Sequence, residues 1–243
     1  MKDLFIAQDN KLIDAQSDFA YTPFELDFIN YAIATISMYD EEFKTIRVNI
    51  SQLYKDIHGQ PLRGKKRSDI FNKMKDLAQK NIIFDSKEDP NKKIVTMWFQ
   101  WIEYEKGEGD FIVEFNDKLI DYLLNLENNF TKARLSGTCI LNTTESKRLY
   151  LLMSKLYDPV NERKFPIEEL RKMLFVGDKH QRLYHFKTRL IEPAIKDINK
   201  YSDFRLEYEE QREGNGNKVT HIKITKKDKG IDPSSKVEEF PLF

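Results

Sequence analysis

One order of elements can be read twice along these 243 residues, at an offset of about 120 positions. In the first pass Thr22-Pro23 opens a helix, because Thr suits the N-cap and Pro the first helical position. Phe24, Phe28, Tyr31, Ala32, Ile36 and Tyr39 then recur at the three-to-four spacing of a buried face. Ile46, Val48 and Ile50 alternate with Thr45, Arg47 and Asn49 as in a half-buried strand, and Ser51 caps a short helix that ends near Gly59. A helix over roughly 64–80 puts Ile70, Phe71, Met74, Leu77 and Ala78 on one side and Lys65, Ser68, Asp69 and Asn72 on the other. Strands over 82–85 and 94–104 flank a polar turn and read as a hairpin. An alternating strand over 111–115 and a helix over 117–126 follow, assigned to the first domain and the junction.

In the second pass a helix starts at Thr144 with Leu149, Leu152, Met153 and Leu156 inside. A brief strand spans 164–166, a short helix 167–174 and a longer helix about 181–200. The long helix keeps Leu183, Phe186, Leu190, Ala194 and Ile198 inward and Gln181, His185, Thr188, Arg189, Glu192 and Lys196 outward. Strands over 204–208 and 219–224 form a second hairpin around Gly214-Asn215-Gly216. Helix, strand, two helices and a hairpin make a winged helix. The expected fold is therefore α+β, two tandem winged-helix domains related by an internal pseudo-repeat. The expected division is an N-terminal domain over 1–134, a C-terminal domain over 135–226 and a flexible tail over 227–243.

Composition narrows the function. Forty Lys and Arg balance forty Asp and Glu, so net charge gives no reason to propose a polyanionic partner, but the distribution does. Residues 1–60 carry ten acids and five bases, whereas 61–80 carry seven bases against Asp69 and Asp76. A second concentration at 179–200 sets Lys179, Arg182, Lys187, Arg189, Lys196 and Lys200 against Glu192 and Asp197. Salt screens fields beyond about 8–10 Å, so distant acids do not cancel such patches. Each basic helix faces outward, and a major groove about 12 Å wide admits one helix. Double-stranded DNA is the expected partner.

The longest run without a charged residue, 28–39, is shorter than the roughly 18 apolar residues of a membrane span. The first twelve residues lack the pattern of a secretory signal, so a cytoplasmic location is expected, with no membrane partner. A lone Cys139 excludes an internal disulfide and reads as a small buried hydrophobe. His58, His180, His185 and His221 lack metal-ligand spacing, and no cofactor, metal or catalytic group is expected. Gly59-Gln60-Pro61-Leu62-Arg63-Gly64-Lys65-Lys66 matches a phosphate-binding loop except at its last position, where Lys66 replaces the Mg²⁺-ligating Ser or Thr. A nucleotide-binding protein is thus the weaker alternative and a non-enzyme the expectation.

Several segments resemble the replication initiators of plasmids whose origins carry iterons, short direct repeats. They are Asn10-Lys11-Leu12-Ile13-Asp14-Ala15, Asn129-Phe130-Thr131-Lys132 through Leu135, Lys147-Arg148-Leu149-Tyr150-Leu151-Leu152, Ile167-Glu168-Glu169-Leu170-Arg171, and Phe186-Lys187 through Ala194-Ile195-Lys196-Asp197-Ile198-Asn199. They fall in family order over about residues 10–225. The resemblance implies a bacterial protein that binds iterons, opens the origin, recruits host replication proteins and represses its own gene as a dimer. It implies main groove contact by the second domain, through Gln181, Arg182, His185, Thr188 and Arg189, with Lys179, Lys196 and Lys218 alongside. Lys65, Lys66, Arg67, Ser68, Asn72 and Lys73 of the first domain would touch phosphates, which position without reading sequence. The second wing departs from the family, since its tip 213–217 lacks a basic Gly-Arg step and has only Arg212 and Lys218 beside it.

The implied partners are iteron direct repeats, an inverted-repeat operator, a second copy of the chain, and host proteins such as the sliding clamp and the helicase or initiator. Phe240, Leu242 and Phe243 end the tail like a clamp-binding peptide, with Glu239 where Gln is usual. A winged-helix transcriptional regulator without initiator activity is the other alternative, since fold does not fix function.

Overall fold

The computed structural model describes residues 4–40, 42–58, 66–105, 109–156, 159–212 and 218–229, with the side chains of 58 and 66–68 left aside. β1 (Phe5–Asp9) enters a single turn, α1 (Asn10–Ile13), whose Lys11 N–H is capped by the Asp9 carboxylate. After an extended strap over 14–21, α2 (Pro23–Thr35) opens on a reciprocal capping box between Thr22 and Glu25. The apolar periodicity predicts a helix reaching Tyr39, but it stops at Thr35. Ser37 and Asp40 bond each other's backbone in a competing turn, and Tyr39 is 81% exposed.

β2 (Ile46–Asn49) leads into α3 (Ile50–His58), capped by the Asn49 side chain on Gln52 N–H and not by Ser51 as expected. α4 (Lys66–Leu77) buries Ile70, Met74 and Leu77. β3 (Asn81–Asp85), β4 (Lys93–Met97), β5 (Phe99–Glu105) and β6 (Asp110–Phe115) follow.

Residues 94–104 are not one strand, because Trp98 and Phe99 are both buried and successive strand residues face opposite sides. The chain breaks at Trp98, whose carbonyl accepts Asn116 N–H, and β5 departs to pair with β6. The wing of the first domain is therefore β5–β6. The β3–β4 hairpin is an insertion, tied to the strap by mutual backbone bonds between Gln16 and Ile83.

A 3₁₀ turn (Asp117–Leu119) and α5 (Ile120–Leu123) replace the single helix predicted over 117–126. β7 (Phe130–Arg134) then pairs antiparallel with β1.

α6 (Leu135–Cys139) and α7 (Thr144–Ser154, capped by Thr143) precede β8 (Glu162–Pro166) and α8 (Ile167–Met173). The long helix predicted over 181–200 is in three parts, α9 (Leu183–Phe186), a π turn (Lys187–Ile191) and α10 (Glu192–Tyr201). Pro193 accounts for the π turn, since it lacks the N–H that would bond to Arg189 and its ring crowds that carbonyl. β9 (Phe204–Arg212) and β10 (Val219–Asp228) complete the second wing.

The two sheets have one topology, β2-β6-β5 and β8-β10-β9, first strand beside third and third beside second. Starts of corresponding helices are 117 residues apart, Ile50 against Ile167 and Lys66 against Leu183. The expected pair of winged helices is present as an α+β fold, and their apolar residues merge into one core.

The strap stitches the halves together. Ser17 N–H donates to the Lys172 carbonyl, Tyr21 N–H to the Phe175 carbonyl and Thr144 Oγ1 to the Tyr21 carbonyl.

Candidate nucleic-acid interface

The second domain presents its basic residues along one short stretch of chain. α8 ends at Met173, and a turn over 174–182 delivers the chain to α9. In that turn Phe175, Gly177 and His180 all adopt left-handed backbone, with φ of 57°, 57° and 56°. Lys179, Gln181 and Arg182 are exposed at its end, and the Gln181 amide is held by Asp178 at 3.2–3.3 Å.

Beyond the turn, Phe186, Leu190, Ile191, Ala194, Ile195 and Ile198 are buried. The inward set shifts by one residue across the π turn, from 186 and 190 to 191, 194, 195 and 198. That extra residue lets both halves of the helix keep an apolar face on the core. Arg189 and Lys196 are exposed on the outer side.

Thr188 and His185 are half-buried. The Thr188 hydroxyl donates back to the Tyr184 carbonyl at 2.9 Å, and no described group bonds His185 Nδ1. Two lysines of the basic run are engaged within the protein. Lys187 pairs with Glu210, and Lys200 lies over the Tyr201 ring at 4.6 Å. Lys218 is exposed immediately before β10, and residues 213–217 lie outside the described residues.

One residue of this face carries no charge and escaped the sequence reading. Tyr184 is 67% exposed and packs edge-on against His185 at 5.4 Å. Its place four residues before Thr188 was the available signal, but an aromatic in a helix is read by default as core.

The first domain offers a more mixed surface. Asn72 is exposed on α4, while Lys73 is half-buried with its ammonium 5.4 Å over the Phe24 ring. Lys66, Arg67 and Ser68 occupy the first turn of α4. Lys65, most of the phosphate-loop-like segment and the tail residues Phe240, Leu242 and Phe243 lie outside the described residues. Phe71, on the outer side of α4, is 39% exposed and packs on Tyr104 of the first wing at 5.1 Å, although the periodicity placed it inward.

Among the described residues no group of three or more His, Cys, Asp or Glu could hold a metal ion, and no helix is long and apolar enough to cross a membrane. Cys139 is buried as expected, and burial pushes its thiol up to about 12.

Residues 5–154 match the family model described as "Initiator Replication protein, WH1", and residues 166–225 the one described as "Initiator Rep protein, WH2". An uncharacterized 27.6 kDa protein of Escherichia coli is 23% identical over 192 residues, 73% of this chain and 76% of its own length. The crystal structure of Pi initiator protein in complex with iteron DNA superposes with a TM-score of 0.68 at 20% identity. That match covers 94% of this chain and 99% of the other, and it shares the fold described above. With both winged helices matched in order, this chain belongs to the initiator replication protein family.

Proposed function

We propose that this protein is a plasmid replication initiator that binds iteron repeats at its origin, opens adjacent AT-rich DNA and brings in host replication proteins. The observation that carries the reading is the row Lys179, Gln181, Arg182, Arg189 and Lys196, exposed on and just before the outer helix of the second winged helix. An Arg can take both acceptors of a guanine edge and a Gln both groups of an adenine edge, each such pair adding about 1–3 kcal/mol of discrimination. α4 and Lys218 would add phosphate contacts, which fix register without reading bases. A domain division at 134/135 and 226/227 goes with this reading, the C-terminal unit recognising DNA and the N-terminal one assisting and forming a repressive dimer. Phe240, Leu242 and Phe243 would dock in a hydrophobic groove of a replication protein such as the clamp. The action is binding and strand separation, without bond chemistry.

A transcriptional regulator on the same fold is the second reading. Protection mapping on the DNA that flanks the gene separates the two. An initiator protects direct repeats and makes a neighbouring AT-rich segment reactive to a single-strand probe. A regulator protects an inverted repeat alone and leaves the duplex closed. Deleting the last five residues should leave repeat protection intact while removing clamp association, and lost DNA affinity would count against a tethered peptide.

A further inference from the structure

The exposed row is only as well placed as the turn that delivers it, and that turn is clamped from inside. Arg171 of α8 is 6% exposed, too buried to reach DNA. Its Nη1 donates to the His180 carbonyl at 2.9 Å and more weakly to that of Lys179 at 3.4 Å, and its Nη2 donates to the Gln181 carbonyl at 2.9 Å. The guanidinium lies 4.1 Å from the centroid of the buried Phe186 ring, one turn into the helix that follows. One planar group therefore holds the three carbonyls immediately before Arg182 and rests on the first buried residue of the helix.

The same three residues include His180 at φ 56°, a conformation that a side chain other than glycine keeps only where its surroundings enforce it. The Arg182 carbonyl then accepts the first helical N–H, from Phe186, at 3.0 Å, so the clamp ends where the helix begins. A Lys in place of Arg171 keeps the charge but lacks the rigid fork that spans two neighbouring carbonyls.

We infer that Arg171 is a positioning residue for DNA recognition: by pinning the carbonyls of residues 179–181 on Phe186 it sets where Gln181, Arg182 and His185 meet the groove, without touching DNA itself. This rests on the proposed function, in which the outer helix of the second domain reads bases.

The test uses the full chain, a duplex recovered from a random library by binding to the wild-type protein, and a scrambled duplex of the same composition. Arg171→Lys and Arg171→Met are compared with Arg189→Ala. Arg171→Lys should unfold in a single thermal transition, yet bind the selected duplex about tenfold or more weakly, the loss of roughly one bidentate base contact. Its affinity for the scrambled duplex should stay within about threefold, because that binding depends on phosphate charge. Arg171→Met should lose at least as much preference; should it fail to fold, Arg171→Lys decides alone. Wild-type preference retained in Arg171→Lys, with Arg189→Ala losing it, overturns this inference and leaves the proposed function standing. No preference in the wild-type protein itself overturns both.

Discussion

Lys147 Nζ lies 2.6 Å from Asp27 Oδ1, with both side chains almost wholly buried, and it also donates to the Thr138 carbonyl at 2.8 Å. The pair ties α7 to α2. Removing one partner of such a pair leaves a buried charge uncompensated, so Lys147→Met should lower stability by about 3–5 kcal/mol, and Asp27→Leu with Lys147→Met should recover much of that loss. Urea unfolding of the two single variants and the double variant measures the coupling. Additive losses would show that the pair is not coupled. Burial raises the Asp27 carboxyl to about 6 against the pull of Lys147. The folded state then holds this proton more tightly than the unfolded one, so its contribution to stability falls as pH rises from about 4 to about 6 and is level above that. The wild-type protein should show this slope relative to the double variant.

Arg148 is almost wholly buried, and among the described residues no carboxylate lies at contact distance from it. Its Nε donates to the Met173 carbonyl and its Nη2 to those of Ile13 and Ala15 at 2.8–3.0 Å, with the guanidinium 4.0 Å from the Phe175 ring centroid. Burial lowers it to about 10, still charged at neutral pH. Arg148→Met should leave three carbonyls unpaired and cost about 3 kcal/mol or more. Hydrogen exchange should rise first in residues 13–21 and 173–176. Uniform exchange across the chain would contradict a local role.

Gly177 combines φ 57° with a close approach to the strap, since a Cβ there would lie 3.0 Å from the Ala20 backbone nitrogen. Gly177→Ala should cost about 1–3 kcal/mol and loosen the Ala20–Val176 bridge. Thermal unfolding checks the cost, and an unchanged midpoint would show that the strap yields freely.

Affinity for DNA should fall about 10³- to 10⁵-fold between 50 and 200 mM salt if roughly six to ten phosphates are contacted. Fluorescence anisotropy across that range gives the slope. A flat response is incompatible with the basic helices acting as phosphate contacts.

Both winged helices were legible because helix and strand periodicities are local, and because the order of elements recurs. The wing of the first domain was misplaced for a local reason too. Ile94 to Tyr104 looks continuous in apolar character, and only the adjacent burial of Trp98 and Phe99 shows that the strand changes partner there. The π turn depends on how Pro193 is absorbed, which no period reveals. Lys147 and Arg148, met in sequence as part of a resembling motif, turn inward because α7 is packed among the strap, α2, α6 and α10. Arg171 of α8 turns inward as well. An Arg in the last turn of a short helix reads as a helix-end cation, and only the folded turn shows the carbonyls it collects.

Base-by-base selection profiles of the wild-type chain and Arg189→Ala test most directly whether the outer helix of the second domain reads bases. Loss of preference at one base pair, at about 1–3 kcal/mol, with the remaining positions kept, is the expected result. An unchanged profile in Arg189→Ala, or a uniform weakening of all sequences alike, would contradict it.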